Sequence, residues 1–350
     1  MRSKIIEEDL QWIIDQHLPW DILKGKTILI TGANGFLPAY MLETLLYMNE
    51  VLPKSDKVKV IGLVRNKQKA LDRFSHYIAR NDFELIIQDV CTPLVFNEDI
   101  HYIIHAASQA SPRFYGVDPV GTLSANVIGT YNLLELAREK QVEGFLFFSS
   151  GEVYGQVVPA VERIDELSYG YLDPLNVRSC YAEGKRMGET MCVSWLHQYD
   201  VPVKIVRPFH TYGPGMSLDD GRVFADFVSD IVHKRDIAMK SDGRAIRSFC
   251  YLADAITGYF TVMFNGNLGE AYNVGNDYEV VSIFDLANVL VDLFSNLKLK
   301  VVQYPAPNPR EYIQSQVVST CPDITKLRSI GWSPKFPIRE GFKRTIDSFL

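Results

Sequence analysis

The chain has 350 residues, 47% of them hydrophobic and 22% charged, a balance typical of a globular protein with two packed lobes. Its net charge of −6 argues against nucleic acid or an anionic membrane surface as the main partner. The five cysteines form no CxxC pair, which indicates reduced thiols and no metal site. Because the start lacks signal-peptide features and no run reaches about 18 apolar residues, we expect a cytoplasmic protein.

Residues 1–24 are predicted to be a helical extension that precedes the first strand. Their apolar side chains recur at the spacing of one helix face: Ile6, Leu10, Ile13, Ile14 and Leu18. Two interpretations fit this face. The helix packs on the outside of the first lobe, or it contributes to a contact between two copies of the chain.

Apolar runs alternate with helical stretches over residues 25–207. The runs predict strands at 26–31, 58–64, 83–90, 101–107, 144–150 and 201–208, and the stretches predict helices at 39–48, 119–140 and 181–199. This alternation predicts an α/β fold with a Rossmann-type, doubly wound parallel sheet that binds a dinucleotide. Residues 208–350 contain proline and glycine clusters and predict a smaller α/β substrate lobe, from which some segments return to the first domain.

A glycine-rich turn, TGANGF, joins the first strand to the first helix of this region. Gly32 and Gly35 let the backbone approach a pyrophosphate, and Asn34 and Phe36 lie in the same turn. The sequence therefore predicts a nicotinamide dinucleotide as cofactor. Pro38 replaces the usual third small residue and is bulkier where helix and strand should pack closely.

The end of the second strand bears on the choice between NAD and NADP. NAD-binding folds carry a carboxylate there for the ribose hydroxyls, whereas this chain has Arg65 and no acid. Arg65 either pairs with the 2′-phosphate of NADP or is a solvated arginine, and both interpretations stay open.

The ends of the next two strands predict further contacts with the cofactor. Asp89 and Val90 follow the third strand and are placed to meet the adenine ring. Ala106, Ala107 and Ser108 follow the fourth strand and are predicted to line the cofactor site.

The predicted catalytic residues are Tyr181, Lys185, Ser150 and Glu152. The spacing of Tyr181 and Lys185 in YAEGK puts both on one helical face, where they also meet the cofactor. A nearby ammonium lowers the pKa of a phenol, which can then take a proton from a sugar hydroxyl. Ser150 ends a strand at the ligand-binding edge, and Glu152 is either a base for an activated C–H or a plain loop residue.

At this point a family resemblance is clear. The segments that carry it are TGANGF, HAAS, SSGEVYG, YAEGK and RPFHTYGPG, which resemble the extended short-chain dehydrogenase/reductase family. Two longer stretches, beginning at HAASQASPRFYG and RSCYAEGKRMGETM, resemble UDP-glucuronate decarboxylases within it. The likeness runs from about residue 26 to 347.

The resemblance implies roles for individual residues. Ser150, Tyr181 and Lys185 would be the catalytic serine, tyrosine and lysine, and Glu152 would match the glutamate of decarboxylases and 4,6-dehydratases. Arg247 would hold the nucleotide's diphosphate, a task that suits a bidentate guanidinium. The resemblance also places Arg222 and His210 among the substrate-binding residues, and implies a homodimer paired through the helices at 119–140 and 181–199. Apolar residues that exceed the needs of one sheet face support this pairing: Val127, Leu134, Met187 and Met191.

The chain also departs from its family. Gly151 stands where dTDP-glucose 4,6-dehydratases carry an aspartate, and His210 replaces the phosphate-facing asparagine. Decarboxylases carry an arginine just before the PDI-like segment to meet the sugar carboxylate, whereas this chain has Thr320 and Cys321. Arg310 is near in sequence but not at that position, which weakens the case for a uronic acid substrate.

Three functions remain open at this point. In the first, a nucleotide-sugar lyase, either a 4,6-dehydratase or a decarboxylase, acts through a 4-keto intermediate with tightly bound NAD(P). In the second, an epimerase uses the same tyrosine and lysine. In the third, the chain binds the cofactor as a sensor or scaffold without catalysis, an interpretation that the intact Ser150, Tyr181 and Lys185 argue against.

Overall fold

A computed structural model describes residues 3–157, 161–304 and 319–350 of the chain. A parallel sheet organises the larger part of it. The first elements are α1 (Lys4–Ile14), β1 (Thr27–Thr31), α2 (Phe36–Met48), β2 (Lys59–Val64), α3 (Lys67–Phe74), β3 (Phe83–Ile87), β4 (Tyr102–His105), α4 (Pro119–Lys140), β5 (Gly144–Phe148), α5 (Ser179–Tyr199) and β6 (Val203–Pro208). The remaining elements are β7 (His210–Tyr212), α6 (Val223–Val232), β8 (Ile237–Met239), β9 (Ile246–Tyr251), α7 (Leu252–Asn265), β10 (Ala271–Val274), β11 (Val280–Ser282), α8 (Ile283–Leu293), β12 (Val301–Gln303), β13 (Ser319–Thr320), α9 (Thr325–Ser329) and α10 (Ile338–Asp347).

Seven strands form the large sheet in the order β10-β6-β5-β4-β1-β2-β3, and all neighbours are parallel. Two hydrophobic clusters cover its two faces, so strands such as β1 are buried along their whole length. The chain reverses direction across the sheet between β1 and β4, and ligands of such sheets bind at the carboxyl edge of that point. The predicted Rossmann-type sheet is confirmed.

Several strands end earlier than the sequence predicts. The predicted strands at 83–90, 101–107 and 144–150 end at Ile87, His105 and Phe148. After β4 the chain leaves the sheet, because Ala106 and Ala107 both donate their amides to the Thr31 side chain, at 3.2 Å from Oγ1. Apolar runs predict that a strand exists better than where it stops.

The extension begins with α1, which packs against α2 and α7 of the same chain. Leu10 and Ile13 are fully buried there, in line with the first of the two interpretations. Asp9 is buried as well and accepts hydrogen bonds from Tyr40, Tyr251 and Arg344, the last of which lies on α10. The extension therefore joins elements from the beginning and the end of the chain.

The smaller lobe is built on short strands. β9 lies between β11 and β13 and also pairs with β7, while β8 pairs with β12. Helices α6, α8 and α10 pack on one another beside them. Across the described ranges, no helix is long and apolar enough to cross a lipid bilayer.

Candidate active site

A cavity of about 930 Å³ opens at the carboxyl edge of the large sheet and extends to the smaller lobe. The loops after β1 to β5 form one side, and β7, β9 and the start of α6 form the other. All residues predicted for the site line this cavity: Gly32, Asn34, Gly35, Phe36, Arg65, Asp89, Val90, Ala106, Ala107, Ser108, Ser150, Glu152, Tyr181, Lys185, His210, Arg222 and Arg247.

The glycine-rich turn leaves room that a side chain would fill. Gly32 has a φ of +63°, and a Cβ there would lie 2.8 Å from Ala107 Cα. Gly35 caps α2 and donates its amide to Gly32 O at 2.7 Å, so the start of the helix faces the cavity. Ser108 Oγ is buried without a hydrogen-bond partner among the described residues. A bare backbone, a helix start and an unpaired hydroxyl fit a dinucleotide's pyrophosphate and the atoms beside it.

Pro38 does not disturb this turn. It is the third residue of α2, which continues without a break to Met48. Gly62 on β2 supplies the close contact between helix and strand, because a Cβ there would lie 3.2 Å from Ala33 Cβ and 3.3 Å from Leu42 Cδ1. A small residue on the neighbouring strand thus gives α2 room against the sheet.

A buried chain of hydrogen bonds fixes the loop that follows β4. Thr31 Oγ1 accepts from the amides of Ala106 and Ala107, so its own proton is left for His105 Nδ1 at 2.9 Å. His105 Nε2 then donates to Thr130 Oγ1 at 3.0 Å, and Thr130 donates to the backbone of α4. Burial lowers the pKa of His105 well below its usual range, which keeps the ring neutral for this arrangement. Sequence reasoning missed this network.

At another part of the cavity lining, Arg65 follows β2 and is 62% exposed. Its Nη1 lies 3.8 Å from Asp89 Oδ2, while Asp89 accepts the amide of Cys91 at 2.8 Å. Val90 packs against Gly129 of α4, where an added Cβ would lie 2.7 Å from Val90 Cγ1. Asp89 is thus fixed by the Cys91 amide and Val90 by α4, whereas Arg65 is only weakly paired.

Tyr181 and Lys185 lie one turn apart on α5, and Ser150 faces them from the end of β5. Burial raises the pKa of Tyr181 to about 12, and a hydrogen bond with Ser150 acts in the opposite direction. Lys185 Nζ donates to Phe148 O at 2.6 Å and lies 5.9 Å from the Tyr181 ring centroid. Burial lowers the pKa of Lys185 to about 7.

Burial outweighs the expected effect of Lys185 on Tyr181. A lysine ammonium was expected to lower the pKa of the Tyr181 phenol, yet that pKa is raised. The reason is that both groups are buried, and burial disfavours the phenolate of Tyr181 and the ammonium of Lys185 alike. Besides the hydrogen bond with Ser150, the charge of Arg222 acts to lower the pKa of Tyr181.

Glu152 lies in the turn Gly151–Tyr154 that follows β5, and its side chain is exposed in the cavity. Ser150 Oγ accepts its amide at 3.2 Å, which fixes the start of the turn. Burial and then the carboxylate of Glu152 both raise the pKa of Tyr181, so the acid lies within electrostatic range of the phenol. A carboxylate and a phenol therefore face the same part of the cavity.

Tyr115 is a residue that sequence reasoning missed. Its ring stacks on that of Tyr181, with centroids 5.1 Å apart and planes 15° from parallel. Its hydroxyl donates to Ala110 O at 3.0 Å, and the guanidinium of Arg178 lies 5.8 Å from its ring centroid. The signal was an aromatic residue in the loop after HAAS, which no spacing rule connects to Tyr181.

The third missed feature lies beneath the catalytic strand end. Arg207 on β6 pairs with Glu189 on α5 at 2.6 Å, and Ser149 donates to the same carboxylate. Arg207 is 2% exposed and also donates to Tyr154 and to Glu166 O. This buried pair holds β5, α5 and β6 together directly behind Ser150.

The far side of the cavity carries His210, Arg222 and Arg247. Burial, together with the charges of both arginines, lowers the pKa of His210 to about 3, so the ring is neutral. Its Nδ1 is buried without a partner among the described residues. Arg222 donates to Ala110 O at 3.1 Å, and Arg247 lies in register with Thr320 on β13. The two guanidiniums and the neutral imidazole make this side of the cavity suitable for an anion. Arg310, which the sequence analysis also considered, lies outside the described residues.

Comparisons with known proteins identify the relatives of this chain. A model of the family described as "NAD dependent epimerase/dehydratase family" matches residues 28–275. UDP-glucuronic acid decarboxylase 5 of Arabidopsis thaliana is 34% identical over 92% of this chain and 89% of its own length. UDP-glucuronic acid decarboxylase 1 of Xenopus tropicalis is 34% identical over 93% of this chain and 72% of its own.

Solved structures confirm the fold. UDP-glucose 4-epimerase of Thermotoga maritima superposes with a TM-score of 0.78 at 20% identity, covering 92% of this chain and 98% of that one. dTDP-glucose 4,6-dehydratase of Bacillus anthracis superposes with a TM-score of 0.73 at 19% identity, covering 93% and 96%. The resemblance predicted from the motifs is confirmed, and so is the dependence on a nicotinamide dinucleotide: the chain belongs to the NAD-dependent epimerase/dehydratase family.

Proposed function

We propose that this chain is a nucleotide-sugar lyase that acts through a 4-keto sugar. The observation that carries the proposal is Glu152, exposed in the same cavity as the Ser150–Tyr181 pair and within electrostatic range of the phenol. Hydride exchange at C4 alone needs no such acid, whereas an elimination needs a base. The relatives that match about nine tenths of the chain are themselves decarboxylases of a nucleotide-sugar, which supports the proposal.

Binding uses the two ends of the cavity. The turn at Gly32–Gly35 and the loop at Ala106–Ser108 would hold the dinucleotide, which when bound takes a hydride from the sugar and later returns it. His210, Arg222 and Arg247 would hold the diphosphate of the substrate, since guanidiniums make charge-assisted hydrogen bonds to phosphate oxygens. The sugar then lies between them, near Tyr181.

The proton steps belong to the chain's own residues. Tyr181 takes the proton of the C4 hydroxyl, while Ser150 shares a hydrogen bond with that hydroxyl and orients it. In the 4-keto sugar the C5 proton is acidic, and Glu152 removes it. The electron pair forms the C5–C6 double bond, and the C6 hydroxyl takes the proton that Tyr181 holds and leaves as water. Once the hydride has been returned to C6, Glu152 gives its proton back to C5.

A carboxylate at C6 would change the second half only. The C5–C6 bond would then break, CO₂ would leave, and the electron pair would pass to the C4 carbonyl before C5 is protonated. The two routes differ in product mass. Incubation with a panel of nucleotide-sugars should give a product lighter by about 18 mass units after dehydration or about 44 after decarboxylation. An unchanged mass with a changed sugar would overturn the lyase proposal in favour of an epimerase.

Variants of Glu152 and Tyr181 separate the redox step from the elimination. Glu152→Gln keeps size and hydrogen bonding but not basicity, so it should still build up reduced cofactor with substrate, seen by its absorbance. Its product formation should fall by about 10²–10⁴. Tyr181→Phe should lose both signals. Turnover by Glu152→Gln within a few-fold of the parent enzyme would contradict the elimination mechanism.

We further propose a homodimer through α4 and α5 and a cytoplasmic location. Leu134 was expected at the dimer surface, but it is fully buried against the sheet and is not available. The exposed apolar residues of these helices support the pairing instead: Leu123, Ile128, Tyr131, Met187 and Val193. All five cysteines are free, which suits a reducing compartment.

A further inference from the structure

The adenosine end of the cavity differs from what the family name suggests. In a dinucleotide-binding sheet, the residue after the second strand faces the 2′ position of the adenosine ribose. A carboxylate there accepts hydrogen bonds from a free 2′-hydroxyl and repels a 2′-phosphate. In this chain β2 ends at Val64, and Arg65 and Asn66 follow it into the cavity.

Arg65 is available to a ligand. Its side chain is 62% exposed, and its guanidinium makes no hydrogen bond to another described residue. The 3.8 Å between Arg65 Nη1 and Asp89 Oδ2 is longer than a charge-assisted hydrogen bond, so the pairing is weak. Arg65 also lowers the pKa of Asp118, behind larger effects of Gln109 and the Gly121 amide that already hold that carboxylate.

Lys69 brings a second cation to the same end of the cavity. It lies in the first turn of α3, lines the cavity and has no ion pair within the described ranges. Asn66 Oδ1 accepts the Lys69 amide at 2.9 Å, which fixes the first turn relative to Arg65. The first turn of α3 carries no acidic residue, although acids are favoured at a helix start. An anion bound between Arg65 and Lys69 would satisfy both.

We propose that Arg65 and Lys69 form a subsite for the 2′-phosphate of NADP(H), so that this chain selects NADP(H) over NAD(H). The inference rests on the dinucleotide site of the proposed function but not on its sugar chemistry. It assigns the cofactor by charge: a dianionic phosphate meets two cations and one weakly paired carboxylate, Asp89, where NAD-selective chains present an acid at the strand end.

The experiment has two parts that need no substrate. Supernatant released by heat from the purified holoenzyme should contain NADP(H), identified by mass spectrometry. After the bound cofactor has been removed, titration of the protein with each nucleotide should show that 2′,5′-ADP binds more tightly than 5′-ADP. Arg65→Asp should weaken 2′,5′-ADP binding by about tenfold to a hundredfold while leaving or improving 5′-ADP binding, as expected for a lost charge-assisted contact.

Lys67→Ala is the matched control, because Lys67 lies on the same helix but does not line the cavity. It should leave both affinities unchanged. Release of NAD(H) alone, or equal affinities for the two nucleotides, would overturn the inference and leave the lyase proposal standing. Binding of neither dinucleotide would sink both.

Discussion

At the scale of single residues, burial decides the electrostatics of this site. Tyr181 and Lys185 are 5% and 2% exposed, and each is pushed toward its neutral form in the chain without ligands. His210 is neutral for the same reason, with two arginines adding to the effect. Burial therefore favours the neutral forms of Tyr181, Lys185 and His210, and the arginines are the fixed positive charges of the site.

The first residue-scale prediction concerns Tyr115, a positioning residue that stacks on Tyr181. Its hydroxyl bonds to Ala110 O, away from the phenol, so Tyr115→Phe should keep kcat within a few-fold. Tyr115→Ala removes the stacking surface and should lower kcat by about 10- to 100-fold, since small displacements of a reacting group are costly. Steady-state kinetics should show the loss in kcat more than in KM. A loss confined to KM would mean that Tyr115 only binds substrate.

The second residue-scale prediction follows from the pKa of about 7 for Lys185. Between pH 7 and the ordinary lysine pKa of 10.5, the unfolded chain holds a proton that the folded chain lacks. The contribution of Lys185 to the free energy of unfolding therefore rises with pH across that window. Below pH 7 the cost of burying its ammonium group is constant. Lys185→Met removes this penalty but leaves Phe148 O without its donor, so it should stabilise the free chain by about 1–3 kcal/mol at pH 6.

The gain should shrink as the pH approaches 10. Urea unfolding of the cofactor-free protein at pH 6 and pH 9.5 measures both values. Lys54→Met, at an exposed position, is the control and should show no such trend. A gain from Lys185→Met that is independent of pH would show that packing, and not the buried amine, is responsible.

At the scale of elements, the site is built where strands end. Thr31, at the end of β1, holds the loop after β4 through two amides, and His105 extends the same network to α4. The Arg207–Glu189 pair ties β6 to α5 behind β5. These contacts position the loops after β4 and β5, which line the cavity.

Thr31→Val tests the first of these networks. The change keeps the shape of the side chain but removes the acceptor for Ala106 and Ala107 and the donor to His105. We expect a loss of about 1–3 kcal/mol in the free energy of unfolding, and weaker dinucleotide binding because the loop lines the cavity proposed to hold the cofactor. Urea unfolding and cofactor titration measure the two effects.

Thr44→Val is the matched control, since Thr44 is equally buried but donates only to Tyr40 O within its own helix. It should change stability less and leave cofactor binding unaltered. If Thr31→Val binds the cofactor as well as Thr44→Val does, the network is structural only.

What the sequence could predict divides along the same line. Six strands and three helices could be predicted from the sequence, because burial of a strand or a helix face leaves a local pattern of apolar residues, as in TILIT of β1. The glycine turn and YAEGK could be found because their chemistry needs fixed local spacing. Tyr115, Thr31 and Glu189 could not, because their roles depend on partners 66, 74 and 18 residues away along the chain. The pKa values of Tyr181 and Lys185 were out of reach because they depend on burial.

At the scale of the whole molecule, the first and the last helices of the chain contact each other. Asp9 on α1 meets Arg344 on α10 at 2.7 Å, and Tyr40 and Tyr251 complete its hydrogen bonds. The buried face of α1 thus makes its contacts within one chain. The apolar face of α4 and α5 is different, because Tyr131 and Met187 are each 49% exposed. This exposed apolar face supports the proposed pairing with a second copy.

The last prediction tests this face. In the proposed homodimer, the exposed side chains of Leu123 and Met187 become buried. The double variant Leu123→Asp, Met187→Asp would bury two unpaired charges at the interface, which should prevent association. Sedimentation at micromolar concentration should show a dimer for the parent chain and a monomer for the double variant, with an unchanged far-ultraviolet spectrum. Val51→Asp is the control: Val51 is 78% exposed after α2, away from α4 and α5, and its variant should remain a dimer. A parent chain that sediments as a monomer would contradict the pairing, and a dimer that survives both substitutions would place the interface on another surface.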